Sequence, residues 1–486
     1  MTTANAKTNT LPAPVIRKAA RPKPAFTALA LLGVDMVSLL IAASLGAYIW
    51  QLFNPSVQPS VFYALWPILL MFPLSYTFLG LYPGVGIDPV FELRWLTYIT
   101  TAVYLVVALV LFLSKDVQLA SRGIYLTSWL LSLFAVPVGR AALRMACAKR
   151  DWWGVPVLIM GAGKTGSLLS QRLIRNPHLG LKPLAFVDDD ASKHSLSPSG
   201  VPVVGTLADA PAIARQHKVR HALIAMPGVK PAHLTTLLRQ YASVFPHLII
   251  VPDMFGMASL GVTAKDFAGV VGLHARQNLL LRRNRFLKRS LDILLLLPAI
   301  FVALPLILLA CLWIITVSPG SPFYRQEREG FGGRTIKVWK LRTMHKNSDA
   351  LLERHLAENP EAKAEWQQHF KLKEDPRIIR GGSVLRKTSI DELPQLINVI
   401  FGEMSFVGPR PFPYYHLEGF GQNFRDLRIE AQPGITGLWQ VSGRSDGDLG
   451  FQEEMDSYYI LNWSIWLDIY ILARTPWAVL FGKGAY

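Results

Sequence analysis

Four apolar runs, an alternating strand-and-helix block and a fifth charge-free stretch between two basic flanks predict a membrane protein of the α/β class for this 486-residue chain. The expected parts are a basic tail (1–24), a four-helix transmembrane bundle (25–150), a parallel α/β block (151–267), a linker (268–287) and a second α/β region (288–486) with a re-entrant membrane helix (291–317). Composition agrees: 51% of residues are hydrophobic and the mean hydropathy is +0.29, which is rich for a water-soluble protein. The net charge of +17, from 50 Lys and Arg against 33 Asp and Glu, fits nucleic acid, anionic lipid or an anionic substrate. No aromatic-interleaved basic module of the nucleic-acid-binding kinds occurs. Membrane lipid and phosphate-bearing ligands are therefore the expected partners, and nucleic acid is not. Cys147 and Cys311 both lie in or beside apolar segments, which argues against a disulfide framework or a zinc site.

The bundle comes first. Ala25–Phe53, Val61–Pro83, Trp95–Leu113 and Gly123–Val138 are each long enough, or nearly so, for a hydrocarbon core about 30 Å thick. The tail ahead of them holds Lys7, Arg17, Lys18, Arg21 and Lys23, has the composition of an unstructured segment and shows no secretory cleavage signal. Arg140, Arg144, Lys149 and Arg150 follow the fourth run, while the first link, Gln51 to Ser60, carries no charge. The positive-inside rule then places both ends of the bundle in the cytoplasm. Asp35, inside the first run, either serves a function or faces a neighbouring helix.

The middle block alternates. VPVLIM (Val155–Met160), LAFVDDD, VPVVG, HALIAMP and HLIIVPD read as strands at regular spacing, with helical segments between them. Gly161, Gly163 and Gly166 form a G-x-G-x-x-G after the first strand, and Asp188 ends the next strand where a ribose-binding acid would sit. A Rossmann-like fold is expected; dinucleotide binding is left open, because a fold does not carry a function with it. The run is no P-loop, since Ser167 stands where that motif needs lysine. His217 and His221 have zinc-pair spacing but lack the glutamate of HExxH, and surface histidines are the better reading.

Arg276, Arg282, Arg283, Arg285, Lys288 and Arg289 lead into Ile293–Val317, which carries no charge; Arg325, Arg328, Arg334, Lys337, Lys340 and Arg342 follow. Both flanks belong in the cytoplasm by the charge rule. Pro298 and Pro305 can bend the helix, so the expectation is a hairpin that enters the bilayer, breaks near Pro305 and returns.

The chemistry concentrates in RKTSIDELPQLINVIFGEMSFVGPRP, Arg386 to Pro411. Two adjacent carboxylates, Asp391 and Glu392, stand between Arg386 and Lys387 on one side and Arg410 on the other. Cations clamp phosphate oxygens, and carboxylates act as nucleophiles or metal ligands, so the pattern suits phosphoryl chemistry. Ser389 to Glu392 also fits a plain capping box. Pro394 is comfortable only in a first turn, so the helix should begin near Asp391 and hold both acids at its N-terminus. Arg444, and Lys340 with Arg342 on the strand-like TIKVWKLRTM, are further candidate phosphate clamps, with lipid-surface charge as their plainer role.

KRSLD (Lys288–Asp292), SPGSPFYRQEREGFGG, KLRTM, RKTSIDELPQLINV, MSFVGPRP, QPGITGLWQVSGR and the Asp456–Trp463 block occur in this order to the C-terminus. In them the chain resembles the bacterial polyprenol-phosphate phosphoglycosyl transferases of the monotopic class, in their large membrane form, nearest to the undecaprenyl-phosphate galactose phosphotransferases. The resemblance implies transfer of a sugar-1-phosphate from a UDP-sugar to undecaprenyl phosphate, with UMP released, as the first step of O-antigen, capsule or exopolysaccharide assembly. It implies Asp391 as nucleophile, Glu392 beside it, Mg²⁺ held by Asp391 or Glu392, and a homodimer. The location implied is the bacterial inner membrane, with the catalytic domain on the cytoplasmic face. Galactose is the first choice of sugar and glucose the second; no spacing reads out the C4 hydroxyl. The family's helix break falls at a Ser-Pro pair, whereas Leu304 precedes Pro305 here. A tethered NAD-dependent dehydratase or epimerase is the rival enzyme, but no tyrosine has the lysine four positions on that its chemistry needs. A non-enzymatic scaffold is the third reading.

Overall fold

The computed structural model describes residues 22–55, 66–114, 122–229, 231–251, 263–267, 270–274, 277–345, 348–359, 372, 375–442 and 449–481. The chain divides into two compact units, Met1–Asp253 and Met254–Tyr486. Among the described residues four helices are long and apolar enough to cross a membrane: Pro24–Phe53, Pro89–Val110, Arg122–Cys147 and Arg282–Val317.

Within the first unit, small residues bring helices Pro24–Phe53 and Arg122–Cys147 together. A Cβ on Gly46 would lie 2.5 Å from Ser128 Oγ, one on Gly139 would lie 2.4 Å from Ser38 Oγ, and one on Gly123 would meet Trp50 at 2.1 Å. Such positions let helices pack closely where lipid supplies no hydrophobic drive. The second expected span, Val61–Pro83, is described only in part. Its described part is a 3₁₀ turn, Trp66–Leu70, and a short helix, Met71–Phe78. Pro73 stands in the first turn of that helix, where proline is tolerated, and the eight helical residues by themselves fall short of a hydrocarbon core; residues 61–65 lie outside the described part.

Asp35 faces a neighbouring helix. Arg140 clamps it through Nε–Oδ1 (2.8 Å) and Nη2–Oδ2 (2.6 Å), and Tyr82 donates to Oδ2. Arg140 also reaches Glu92 Oε1 at 2.7 Å, and Arg144 holds both oxygens of Glu92.

The rest of this unit is a four-stranded, all-parallel sheet in the order β2-β1-β3-β4. Its strands are Val155–Met160 (β1), Leu181–Val187 (β2), His221–Ile224 (β3) and His247–Ile250 (β4). β1 is buried almost throughout, as an apolar run without alternation requires. VPVVG forms only a bridge, Val203 to Phe186, rather than a strand. Its backbone turns away after Gly205, whose N-terminal neighbours bond to Phe186 and whose carbonyl takes Asp188 N–H. His217 ends a helix while His221 opens β3 and stacks on His247 at 4.2 Å, so the two histidines of the spacing argument do not form a pair.

In the second unit, Thr263–Phe267 (β5) pairs antiparallel with Val270–His274 (β6), so the expected boundary at 267 falls inside a hairpin. Helix Arg282–Val317 begins within the expected linker and runs 36 residues. The helix continues through Pro298 and Pro305, each of which removes one hydrogen bond, so the expected break near Pro305 is at most a bend within continuous helix. Both ends bury against this unit. Near the start, Lys288 Nζ donates to Val407 O and Asp468 Oδ2, both at 2.8 Å, and Asp292 accepts from Ser405 Oγ and Phe406 N. Near the end, Ala310 and Ile314 pack with Leu341 and Ile379, and Trp313 Nε1 donates to Arg380 O. Between them Leu297 and Phe301 are 79% and 82% exposed.

Candidate active site

The site rests on a hairpin of Phe323–Glu329 (β7) and Thr335–Leu341 (β8). Its register pairs Tyr324 with Lys340, Gln326 with Val338 and Arg328 with Ile336, so Arg328, Val338 and Lys340 share one face. Asn398 fixes the acidic segment to this hairpin. Its Oδ1 accepts from Trp339 N at 3.1 Å and its Nδ2 donates to Lys337 O at 2.9 Å.

Ser389 stands in the left-handed region (φ 56°) and makes no side-chain cap, so the capping-box reading fails. A left-handed serine costs about 1–2 kcal/mol, and this one turns the chain directly into a 3₁₀ helix, Ile390–Gln395. Asp391 and Glu392 open that helix, with Pro394 inside it. Lys340 Nζ and Arg410 Nη2 both donate to Glu392 Oε1, at 2.8 and 2.7 Å. Burial opposes the charge on Glu392, but Arg410 and Lys340 outweigh it and hold the carboxyl well below its usual range. Asp391 is buried and accepts no hydrogen bond among the described residues. Burial first, then the neighbouring Glu392 charge, raises its pKa to about 6, against the pull of Lys340, Arg386 and Arg410.

Arg410 arrives on the loop that leaves Ser405–Val407 (β9), which pairs in parallel with Gly434–Thr436 (β10). Gly408 passes so close that a Cβ would lie 2.2 Å from Gln432 O. Beneath the loop, Arg428 donates to the Arg410 carbonyl and lies over the Phe412 ring. Asp456 is buried beside that guanidinium with neither oxygen hydrogen-bonded; burial raises its pKa to about 7 and Arg428 opposes the rise.

The other expected clamps divide. Arg386 donates to Thr343 Oγ1 at 2.9 Å, and its charge acts on Asp391. Arg342 is spent on the carbonyls of Ser318 and Pro319. Lys387 is exposed, and Arg444 lies outside the described residues. In the first unit, Gly161, Gly163, Gly166 and Asp188 meet at the ends of β1 and β2. A Cβ on Gly166 would lie 2.0 Å from Gly161 O, and Asp188 Oδ2 accepts from Ala162 N at 2.7 Å and pairs with Lys193 at 3.1 Å.

Sequence reasoning missed Arg328 and Gln395. Both line one cleft with Lys340, Glu392, Arg410 and Gly434. Burial, then the charge of Arg410, lowers the Arg328 pKa to about 10. Strand alternation counted back from Lys340 was the signal that could have found Arg328.

A metal would find a partial donor set. Among the described residues no three His, Cys, Asp or Glu cluster as ligands. Glu392 Oε2 and the Asp391 carboxylate are uncommitted, which fits an ion that takes one or two carboxylates and completes its shell with substrate phosphates and water.

Residues 283–482 match the bacterial sugar transferase family. The UDP-galactose-lipid carrier transferase of Erwinia amylovora is 38% identical over 373 residues, 75% of this chain and 76% of that protein. This chain belongs to the bacterial sugar transferase family. The undecaprenyl-phosphate galactose phosphotransferase of Salmonella typhimurium is 36% identical over 75% of the transferase and 76% of that protein. The UDP-glucose:undecaprenyl-phosphate glucose-1-phosphate transferase of Escherichia coli is 32% identical over 68% of each chain. Residues 78–252 of the transferase match a CoA-binding domain. With its apolar helices, the transferase is a membrane protein.

Proposed function

We propose that the transferase moves a hexose-1-phosphate, galactose-1-phosphate first, from a UDP-sugar to undecaprenyl phosphate. The step takes place at the cytoplasmic face of the bacterial inner membrane and begins polysaccharide assembly. One observation supports this reading: a buried Asp391 with no hydrogen bond among the described residues and a pKa raised to about 6, beside a Glu392 kept ionised by two cations. Galactose is preferred because the relatives named for it match at 38% and 36% over 75% of the chain, against 32% over 68% for the glucose-named relative.

An Asp391 carboxylate oxygen attacks the sugar-bearing phosphorus. The bond from that phosphorus to the bridging oxygen breaks, and UMP leaves with the oxygen. The sugar phosphate is then held on Asp391 as an acyl phosphate, a mixed anhydride. A phosphate oxygen of the lipid attacks the same phosphorus, Asp391 departs as carboxylate, and a lipid-diphosphate-sugar forms. The raised pKa leaves Asp391 ionised at neutral pH yet more basic than an ordinary aspartate, which favours nucleophilic attack. Lys340, Arg410 and Arg328 hold phosphate oxygens in line. Mg²⁺ at Glu392 and Asp391 would neutralise charge on the transferring phosphoryl group.

Helix Arg282–Val317, bent where Pro298 and Pro305 each remove a hydrogen bond, returns to the side it entered; the support is that Lys288 and Ile314, near its two ends, both bury in one unit. A cysteine placed after Val317 should resist labelling from outside intact cells. Assembly as a homodimer rests on the sequence resemblance and is checked by mass in nanodiscs. The decisive assay offers full-length protein a panel of UDP-sugars with undecaprenyl phosphate and follows UMP. UMP without acceptor and a labelled Asp391 peptide are expected; product formed while that peptide stays unmodified would overturn the covalent route.

A further inference from the structure

Gln395 is only 3% exposed. It lines the cleft that holds Lys340, Glu392 and Arg410, and its carboxamide has no hydrogen-bond partner among the described residues. Its amide end opens onto the cleft, so its partner is whatever fills the cleft: water when the cleft is empty, and a polar group of the substrate when one is bound.

The 3₁₀ geometry decides where that partner lies. With three residues per turn, side chains three apart are eclipsed, so Gln395 sits on the same side as Glu392, about 6 Å along the axis. The cations gather at the Glu392 end and take the diphosphate. Gln395, one turn on, is neutral and both donates and accepts, which matches a hydroxyl and not an anion. Val338 and Ile435 line the same cleft and offer apolar surface to the C–H face of a pyranose. The hydroxyl on the carbon next to the anomeric carbon is the sugar hydroxyl nearest the phosphorus, while uracil lies at the far end of the diphosphate.

We propose that the Gln395 carboxamide binds the transferred sugar at this C2 hydroxyl, which galactose and glucose share, and so favours hexoses that carry it over 2-deoxy and 2-acetamido sugars. This rests on the proposed transferase reaction.

The test is a cycle between protein and substrate in full-length enzyme in nanodiscs. UMP release is measured for a UDP-hexose and its 2-deoxy analogue, with wild type and Gln395→Met, which conserves volume; Gln395→Ala is the second variant should the first not fold. Wild type should lose about tenfold or more in kcat/KM on the deoxy sugar. Gln395→Met should lose a similar factor on the parent sugar and little more on the analogue, with KM for undecaprenyl phosphate unchanged. Equal losses by wild type and variant on the deoxy sugar would overturn the contact and leave the transferase reading standing. Coupling to a 2′-deoxyuridine donor instead would also overturn it, by moving the contact to the nucleoside. No UMP from wild type with any UDP-sugar would overturn both readings.

Discussion

In the helical bundle, Asp35 and Glu92 face Arg140 and Arg144; beside the hairpin, Asp391 and Glu392 face Lys340 and Arg410. Each cluster sets two acids against two cations, yet the bonds are distributed in opposite ways. In the bundle both carboxylates are held through both oxygens, and the side chains are at most 10% exposed. Such a network is neutral and closed. In the cleft both cations bond one oxygen of Glu392, and Asp391 is left with none. The difference teaches how to tell a structural ion network from a reactive one: the first holds every carboxylate oxygen, while the second keeps a carboxylate free for the substrate.

Substitution should break the two clusters differently. Asp391→Asn should lower UMP release by roughly 10⁴-fold by removing the nucleophile. Because the folded pKa of Asp391 is raised, its ionised form weakens the fold at neutral pH, so thermal unfolding of this variant should occur at an unchanged or higher temperature. Arg140→Met should do the reverse. It strands Asp35 and part of Glu92 and should cost about 3–5 kcal/mol, seen as faster limited proteolysis of the bundle. Glu392→Gln should cost about 10²-fold in kcat/KM, with the Asp391 adduct still detectable by mass spectrometry.

pH sharpens the contrast further. Below about pH 6 Asp391 takes up a proton and loses its nucleophilic pair, so initial UMP release should fall by about tenfold per unit on the acid side. Glu392 raises the Asp391 pKa, so Glu392→Gln should move that inflection to lower pH in the same assay. The smallest effect belongs to Lys387→Ala. Its side chain is exposed, and a steady-state assay should change by less than about twofold.

Parts of this protein were open to reading along the chain. An apolar run long enough to cross a bilayer, as in Pro24–Phe53 and Arg122–Cys147, has few other folded states even when it carries a charge that pairs inside the bundle. VPVLIM read as a buried strand because apolar residues without alternation suit a sheet covered on both faces. Misreadings arose where a local pattern met a longer-range choice. Val61–Pro83 has the composition of a span, but its described part is a 3₁₀ turn followed by a helix of eight residues. Arg342 looked like a clamp by its place beside Lys340, until folding set it under two loop carbonyls.

Composition, apolar length and the order of short motifs were enough, unaided, to announce a membrane transferase with an aspartate–glutamate pair, because these signals are local and additive along the chain. Which cations meet that pair was decided only in three dimensions. Lys340 lies 52 positions from Glu392 and Arg410 lies 18. Their meeting depends on an Asn398 staple, a hairpin register and a left-handed Ser389. Charge acts through space, and a single residue's shift in register would have turned Lys340 to the other face.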